Sequence, residues 1–140
     1  MLFRNMDEGD LGEGRRRERF VDYIGKAAAY CVVEDGMVLG FVLCRMDRRT
    51  LVVDAMSFVS QGVCAFLLKG LYYCSEGVDS IVVAREANPG SLACHGFFEC
   101  SDGTACKIMH ESTWMEGTFY PHGGLVIEEL LHGESRALGA

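Results

Sequence analysis

Two apolar runs, Ala28 to Glu34 and Met37 to Cys44, have only Asp35-Gly36 between them. A two-residue hairpin turn needs positive φ at its centre, which Gly adopts freely and Asp tolerates. Asp-Gly between such runs is the strongest short-range hairpin signal a sequence can carry. It commits the chain to an antiparallel ladder. A third run, Thr50 to Phe58, follows the charged turn Asp47-Arg48-Arg49.

The period then changes. Val63, Leu67, Leu71 and Cys74 recur at spacings of four and three, which predicts a helix from Gln61 to Ser75, stopped by Gly77. Ser80 to Ala84 reads as a short, β-branched, buried strand. Residues 2–5 fit a first strand. Asp10 is a candidate cap for a helix from about Leu11 to Ile24, with Phe20, Val21 and Ile24 on one face. Pro89 suits the first turn of a short helix through Cys94. Phe97 to Cys100 and Thr104 to His110 fit a second hairpin across Ser101-Asp102-Gly103. Leu125 to Leu131 is one more apolar run, helix or strand. Hairpins followed by strand–helix–strand give an α/β (α+β) fold with a mixed, mostly antiparallel sheet flanked by helices. No internal repeat or linker interrupts it, so residues 1–140 read as a single domain.

Composition narrows the function classes. Apolar residues make up 49%, which excludes a disordered chain. A net charge of −7 gives nucleic acid no counterion-release drive, so no nucleic-acid partner is expected. The basic run Arg15-Arg16-Arg17-Glu18-Arg19 reads as a solvated helix face. The longest apolar stretch, Val63 to Leu68, is too short for a membrane span. Seven cysteines, an odd number without a CxxC, and no signal-peptide pattern point to free thiols in a reducing, cytoplasmic setting. Cys94, His95, Cys100, Cys106 and His110 lack the close pairing of zinc ligands, so no metal site is expected.

The order of elements and three local motifs resemble the GNAT superfamily of N-acetyltransferases over about residues 1–110. Val32-Val33-Glu34-Asp35-Gly36-Met37-Val38-Leu39-Gly40-Phe41-Val42 is similar to the family's second and third strands. Gln61-Gly62-Val63-Cys64-Ala65-Phe66-Leu67-Leu68 is similar to its acetyl-CoA motif, with Val59 where the family prefers Arg or Gln and Cys64 in place of a second Gly or Ala. Asn88 and Gly96-Phe97 resemble the "N…GF" of its last helix and strand. Phe3-Arg4, the Asp10-to-Arg15 segment, "KIM" and the late "EELL-HG" resemble, more narrowly, the C-terminal domain of two-domain GNAT proteins.

The resemblance implies acetyl-CoA as cofactor and a small-molecule amine as acceptor. Backbone amides of Ser60, Gln61, Gly62, Val63 and Cys64, at a helix N-terminus, would receive the pyrophosphate. Met56 to Phe58 would pair with the pantetheine arm, and Asn88 would reach the same arm. The family's usual general acid, a Tyr in the last helix, has no counterpart; Cys94 and His95 are the only titratable groups there. Glu34 and Asp54 are candidate general bases if they face the cleft, and solvated turn charges if they do not. Trp114 and Tyr120 either line an acceptor pocket or pack. Two functions are therefore expected in competition: direct acetyl transfer to an amine, or a catalytically degenerate GNAT-like domain serving as an acyl-CoA-binding or assembly module.

The helix from Gln61 to Ser75 is apolar nearly all round, with Lys69 its only charge, so both its sides need cover. A symmetric homodimer is the expected cover, with Phe66, Tyr73, Trp114 and Tyr120 as anchors. The alternative is the C-terminal segment near Leu125 to Leu131, folded back over the helix.

Overall fold

A computed structural model describes residues 1–11, 17–26, 28–75 and 77–109. Its strands are β1 (Leu2–Asn5), β2 (Ala29–Glu34), β3 (Met37–Asp47), β4 (Thr50–Phe58), β5 (Ser80–Val83), β6 (Phe98–Glu99) and β7 (Ala105–Ile108). Its helices are α1 (Arg17–Gly25) and α2 (Gln61–Cys74). The seven strands form one sheet in the order β1-β2-β3-β4-β5-β7-β6. Every pairing is antiparallel except β4 with β5, which α2 connects.

The β2–β3 hairpin forms as its turn requires. Glu34 faces Met37, and Asp35 and Gly36 sit at φ 51° and 78°. The apolar run of β3 is unbroken because both sheet faces are covered. Val42 and Cys44 enter the core under α2, while Phe41 and Leu43 meet Phe20, Tyr23 and Ile24 of α1. Val21, expected on that inward face, is instead 36% exposed. The α2 core contains Val63, Cys64, Phe66, Leu67, Leu68 and Leu71, all buried. Side chains of this size contribute roughly 1.5–3 kcal/mol each on burial. Phe66 is fully buried within the chain, so it is not available as an interface anchor.

Three expectations change in detail. Asp10 is not followed directly by helix, because Leu11 is extended. It ends a 3-10 turn, Glu8–Asp10, and accepts two hydrogen bonds from the Arg4 guanidinium at 2.6 and 2.8 Å. The Pro89 helix is replaced by two 3-10 turns, Arg85–Ala87 and Leu92–His95, with Pro89 between them. Cys74, the fourth apolar position of the helical stripe, is exposed at the end of α2. The segment Leu125 to Leu131, with Trp114, Tyr120 and His110, lies outside the described residues.

Two irregularities shape the sheet. Between Leu43↔Ala55 and Cys44↔Val53, β4 carries one extra residue, Asp54. Such a bulge bends its strand and sharpens the local twist. Asp54 and Ala55 therefore both meet the α1 side, while Met56 and Phe58 return to the α2 core. On the other edge of β4, pairing with β5 covers only Thr50 to Val53. The last link is the Ala84 N–H to the Val53 carbonyl, 2.9 Å, after which the chain turns away.

Candidate functional site

Beyond Val53 the sheet opens into a notch. One wall is the edge of β4 from Ala55 to Phe58, which has no β-sheet partner on that side among the described residues. The opposite wall is the turn Arg85–Ala87. A cleft of about 280 Å³ lies between them, floored by Phe20, Phe41 and Leu43 and lined by Asp54, Met56, Ser57 and Glu86.

The N-terminus of α2 follows directly from β4. Ser60 caps it, its Oγ accepting the Val63 N–H at 3.2 Å, and the Cys64 N–H reaches the Ser60 carbonyl at 3.0 Å. Those two amides, both expected to face a ligand, are thus spent inside the helix. Cys64 is fully buried, and burial pushes its thiol up to about 11. The amides of Gln61 and Gly62 have no partner among the described residues. A Cβ built on Gly62 meets nothing nearer than Ser60 Oγ at 3.8 Å. The fold itself therefore leaves room for a side chain there, and the space outside the helix end is open.

The expected catalytic candidates are not gathered in the cleft. Glu34 sits at the β2–β3 turn, 3.5 Å from the N-terminal amine of Met1. Asp54 does line the cleft, but its carboxylate is engaged: Tyr23 Oη donates to it at 2.7 Å and Arg45 Nε at 3.1 Å. His95 Nε2 lies 3.0 Å from Gln61 Oε1. Burial, and then the nearby Lys107 ammonium, hold its pKa below the usual imidazole value. Gln61 Nε2 also donates to Ser91 Oγ at 3.2 Å, so one side chain ties the start of α2 to the turn Leu92–His95. Asn88 Nδ2 donates to Glu99 and to the Gly103 carbonyl, and its Oδ1 accepts the Gly90 N–H. Its amide knits the loop before β6 to the β6–β7 turn.

The sequence matches no family model and no curated protein. Solved structures do match. Ard1 from Thermoplasma volcanium superposes with a TM-score of 0.61 at 18% identity, covering 78% of this chain and 97% of its own. The chain has the GNAT fold. Ribosomal-protein-alanine N-acetyltransferase from Brucella melitensis gives a TM-score of 0.57 at 17% identity, with 78% and 100% coverage. PaiA N-acetyltransferase from Thermoplasma acidophilum, solved in complex with coenzyme A, gives 0.55 at 10% identity, with 66% and 71% coverage. At these identities the likeness establishes the fold.

Within this GNAT fold, sequence reading missed Glu86 and Ser57. A usable signal existed for Glu86. It stands just past the carboxyl end of β5, the strand parallel to β4, and open sheets bind ligands outside the carboxyl ends of parallel strands. Ser57 carried no such signal, because its place on the cleft follows from the bulge at Asp54.

Proposed function

We propose that this protein binds acetyl-coenzyme A in the notch and transfers the acetyl group to a small amine. The observation that carries this reading is the divergence of β4 from β5 after Val53, with the start of α2 opening beside it. The residues present suit the ligand. The Gln61 and Gly62 amides, at the positive end of the α2 dipole, receive a diphosphate. The edge from Ala55 to Phe58, with no strand beside it among the described residues, offers N–H and C=O groups to the amides of an extended pantetheine arm. Acetyl-coenzyme A, when bound, supplies an activated thioester. The chain contributes position, dipoles aimed at the carbonyl, and shielding from water by Phe20, Phe41 and Leu43.

The testing experiment is thermal unfolding with added acetyl-coenzyme A. At a hundred times its dissociation constant, a native-state ligand adds ~2.7 kcal/mol of stability. For a domain of this size that raises Tm by about 5–10 °C. No shift at millimolar acetyl-coenzyme A refutes the reading. Gly62→Val should abolish most of the shift, since branched methyls would fill the open approach to the two amides.

One observation favours a second reading, a catalytically silent acyl-CoA-binding or assembly module. No Tyr occurs between Arg85 and Gly96, and Asp54 and His95 are both held by other side chains. Binding without turnover would select it. Self-association as a symmetric homodimer belongs to the proposal in either case. Of the four aromatic anchors, Tyr73 is half-buried, and Trp114 and Tyr120 lie outside the described residues. No described helix is long and apolar enough to cross a membrane.

A further inference from the structure

We infer that Glu86 binds the ammonium of the acceptor in the cleft and takes its proton. The inference rests on the acetyl-transfer reading above and names the group that reading leaves unassigned.

The cleft carries negative charge. Among the described residues its lining includes two carboxylates, Asp54 and Glu86, and no Lys, Arg or His side chain. An anionic acceptor is disfavoured there, and a cation is favoured. An amine at neutral pH arrives as an ammonium and must lose a proton before its nitrogen can attack.

The two carboxylates are not equivalent. Asp54 already receives the Tyr23 hydroxyl and the Arg45 guanidinium, and its side chain is only 17% exposed. Its carboxylate thus links α1 and β3 across the bulge. Among the described residues Glu86 is held only by its chain neighbour Arg85, at 3.9 Å, and its side chain is 73% exposed. That contact is too long for a hydrogen bond, so the carboxylate is free to turn over the cleft. The charged and titratable groups around it are Arg85 on its own turn and, across the cleft, Asp54 with its partners Arg45 and Tyr23. The remaining candidates are elsewhere: Glu34 at the β2–β3 turn and His95 on Gln61.

The acceptor ammonium gives one proton to the Glu86 carboxylate. The neutral nitrogen attacks the thioester carbonyl, an N–C bond forms and the C–S bond breaks. The nitrogen's second proton passes to solvent, and the departing thiolate is protonated from solvent. Glu86 then returns its proton to solvent. A positioned base of this kind contributes on the order of a hundredfold or more in rate.

The test has two arms and uses benzylammonium as the probe, whose ring suits the Phe20 and Phe41 floor. In the first, the Glu86 carboxyl ¹³C resonance is followed on titration with benzylammonium, without acetyl-coenzyme A. It should move in the wild type, while the Asp54 resonance moves less. In the second, benzylamine acetylation by E86Q is compared with wild type across pH. E86Q should lose about a hundredfold in kcat/KM below the amine's pKa, and its rate should climb with pH until the free amine predominates. E86Q should still show a Tm rise with acetyl-coenzyme A, which separates loss of the base from loss of the cofactor site. An unmoved Glu86 resonance overturns the inference. So does an E86Q rate within about twofold of wild type, or a wild type that binds acetyl-coenzyme A but leaves benzylamine unreacted. Failure of wild type to bind acetyl-coenzyme A brings down the underlying reading instead.

Discussion

Replacing Gly70 by Ala tests the packing that holds α2 in place. In an exposed helix interior that change stabilises by about 1 kcal/mol, because Ala loses less backbone entropy than Gly. At Gly70 the new methyl carbon would lie 2.4 Å from Cγ and Cδ2 of the Phe3 ring. Ordinary contact begins at 3.4 Å, so ring and helix must move apart by about 1 Å (3.4 − 2.4). The ring has little freedom to give way. Phe3 is 2% exposed and lies stacked on Tyr30, with centroids 5.4 Å apart and planes 12° from parallel. Overpacking of this kind costs typically 1–3 kcal/mol, and the rigid stack places Gly70 toward the upper end. After the helix-propensity gain, the expected net loss is about 1–2 kcal/mol. That corresponds to a fall in Tm of roughly 3–10 °C. Urea and thermal unfolding of wild type and Gly70→Ala would measure it, with Gly62→Ala as the control. Gly62 lies in the same helix, but its added methyl meets nothing within 3.8 Å, so that variant should match or slightly exceed wild type. Phe3→Leu combined with Gly70→Ala should be less destabilised than the sum of the two single changes, because the smaller side chain relieves the contact. If Gly70→Ala unfolds at or above the wild-type temperature, α2 does not cross β1 closely enough for Gly70 to touch Phe3.

Three further outcomes are expected. The Arg4 guanidinium, by hydrogen bonding, holds the Asp10 carboxyl below its ordinary pKa; the folded state therefore binds that proton less readily than the unfolded chain. The resulting stability is complete above about pH 5 and is lost as pH falls through the unfolded value near 3.9 toward the lower folded one, so Asp10→Asn should cost about 1–2 kcal/mol at pH 7 and flatten the acid limb of the stability curve. All seven cysteines should alkylate after denaturation without reductant, and in the native protein Cys94 and Cys100, which are exposed, should react before Cys31, Cys44 and Cys64, whose burial raises them to about 11, 12 and 11; two or more oxidised pairs would contradict this. Light scattering at micromolar concentration should give about twice the 15.4 kDa chain mass, and a mass fixed at one chain on tenfold concentration would remove the dimer.

Local chemistry determined most of the fold. Asp35-Gly36 specifies its turn because the backbone there needs positive φ, the strand Thr50–Phe58 follows from an apolar run after a charged turn, and the helix from Gln61 follows from its period. The Gly62 amide at a helix start was legible for the same reason: a helix end leaves its first N–H groups unpaired wherever it occurs. The charges were less legible, because a carboxylate's role depends on which other charges reach it. Asp10 reads as a cap until Arg4, six residues earlier, claims it. Asp54 reads as a base until Tyr23 and Arg45 take its oxygens across the sheet. Asn88 reads as a ligand group until Glu99 and Gly103 bind it. The notch itself was beyond the sequence: one extra residue at Asp54 and the early exit of the chain after Val83 separate β4 from β5, strands that the apolar pattern alone would pair throughout. A strand's side chains are fixed by its own period, but its edges are fixed by where its neighbours stop, and that is decided only when distant segments pack together.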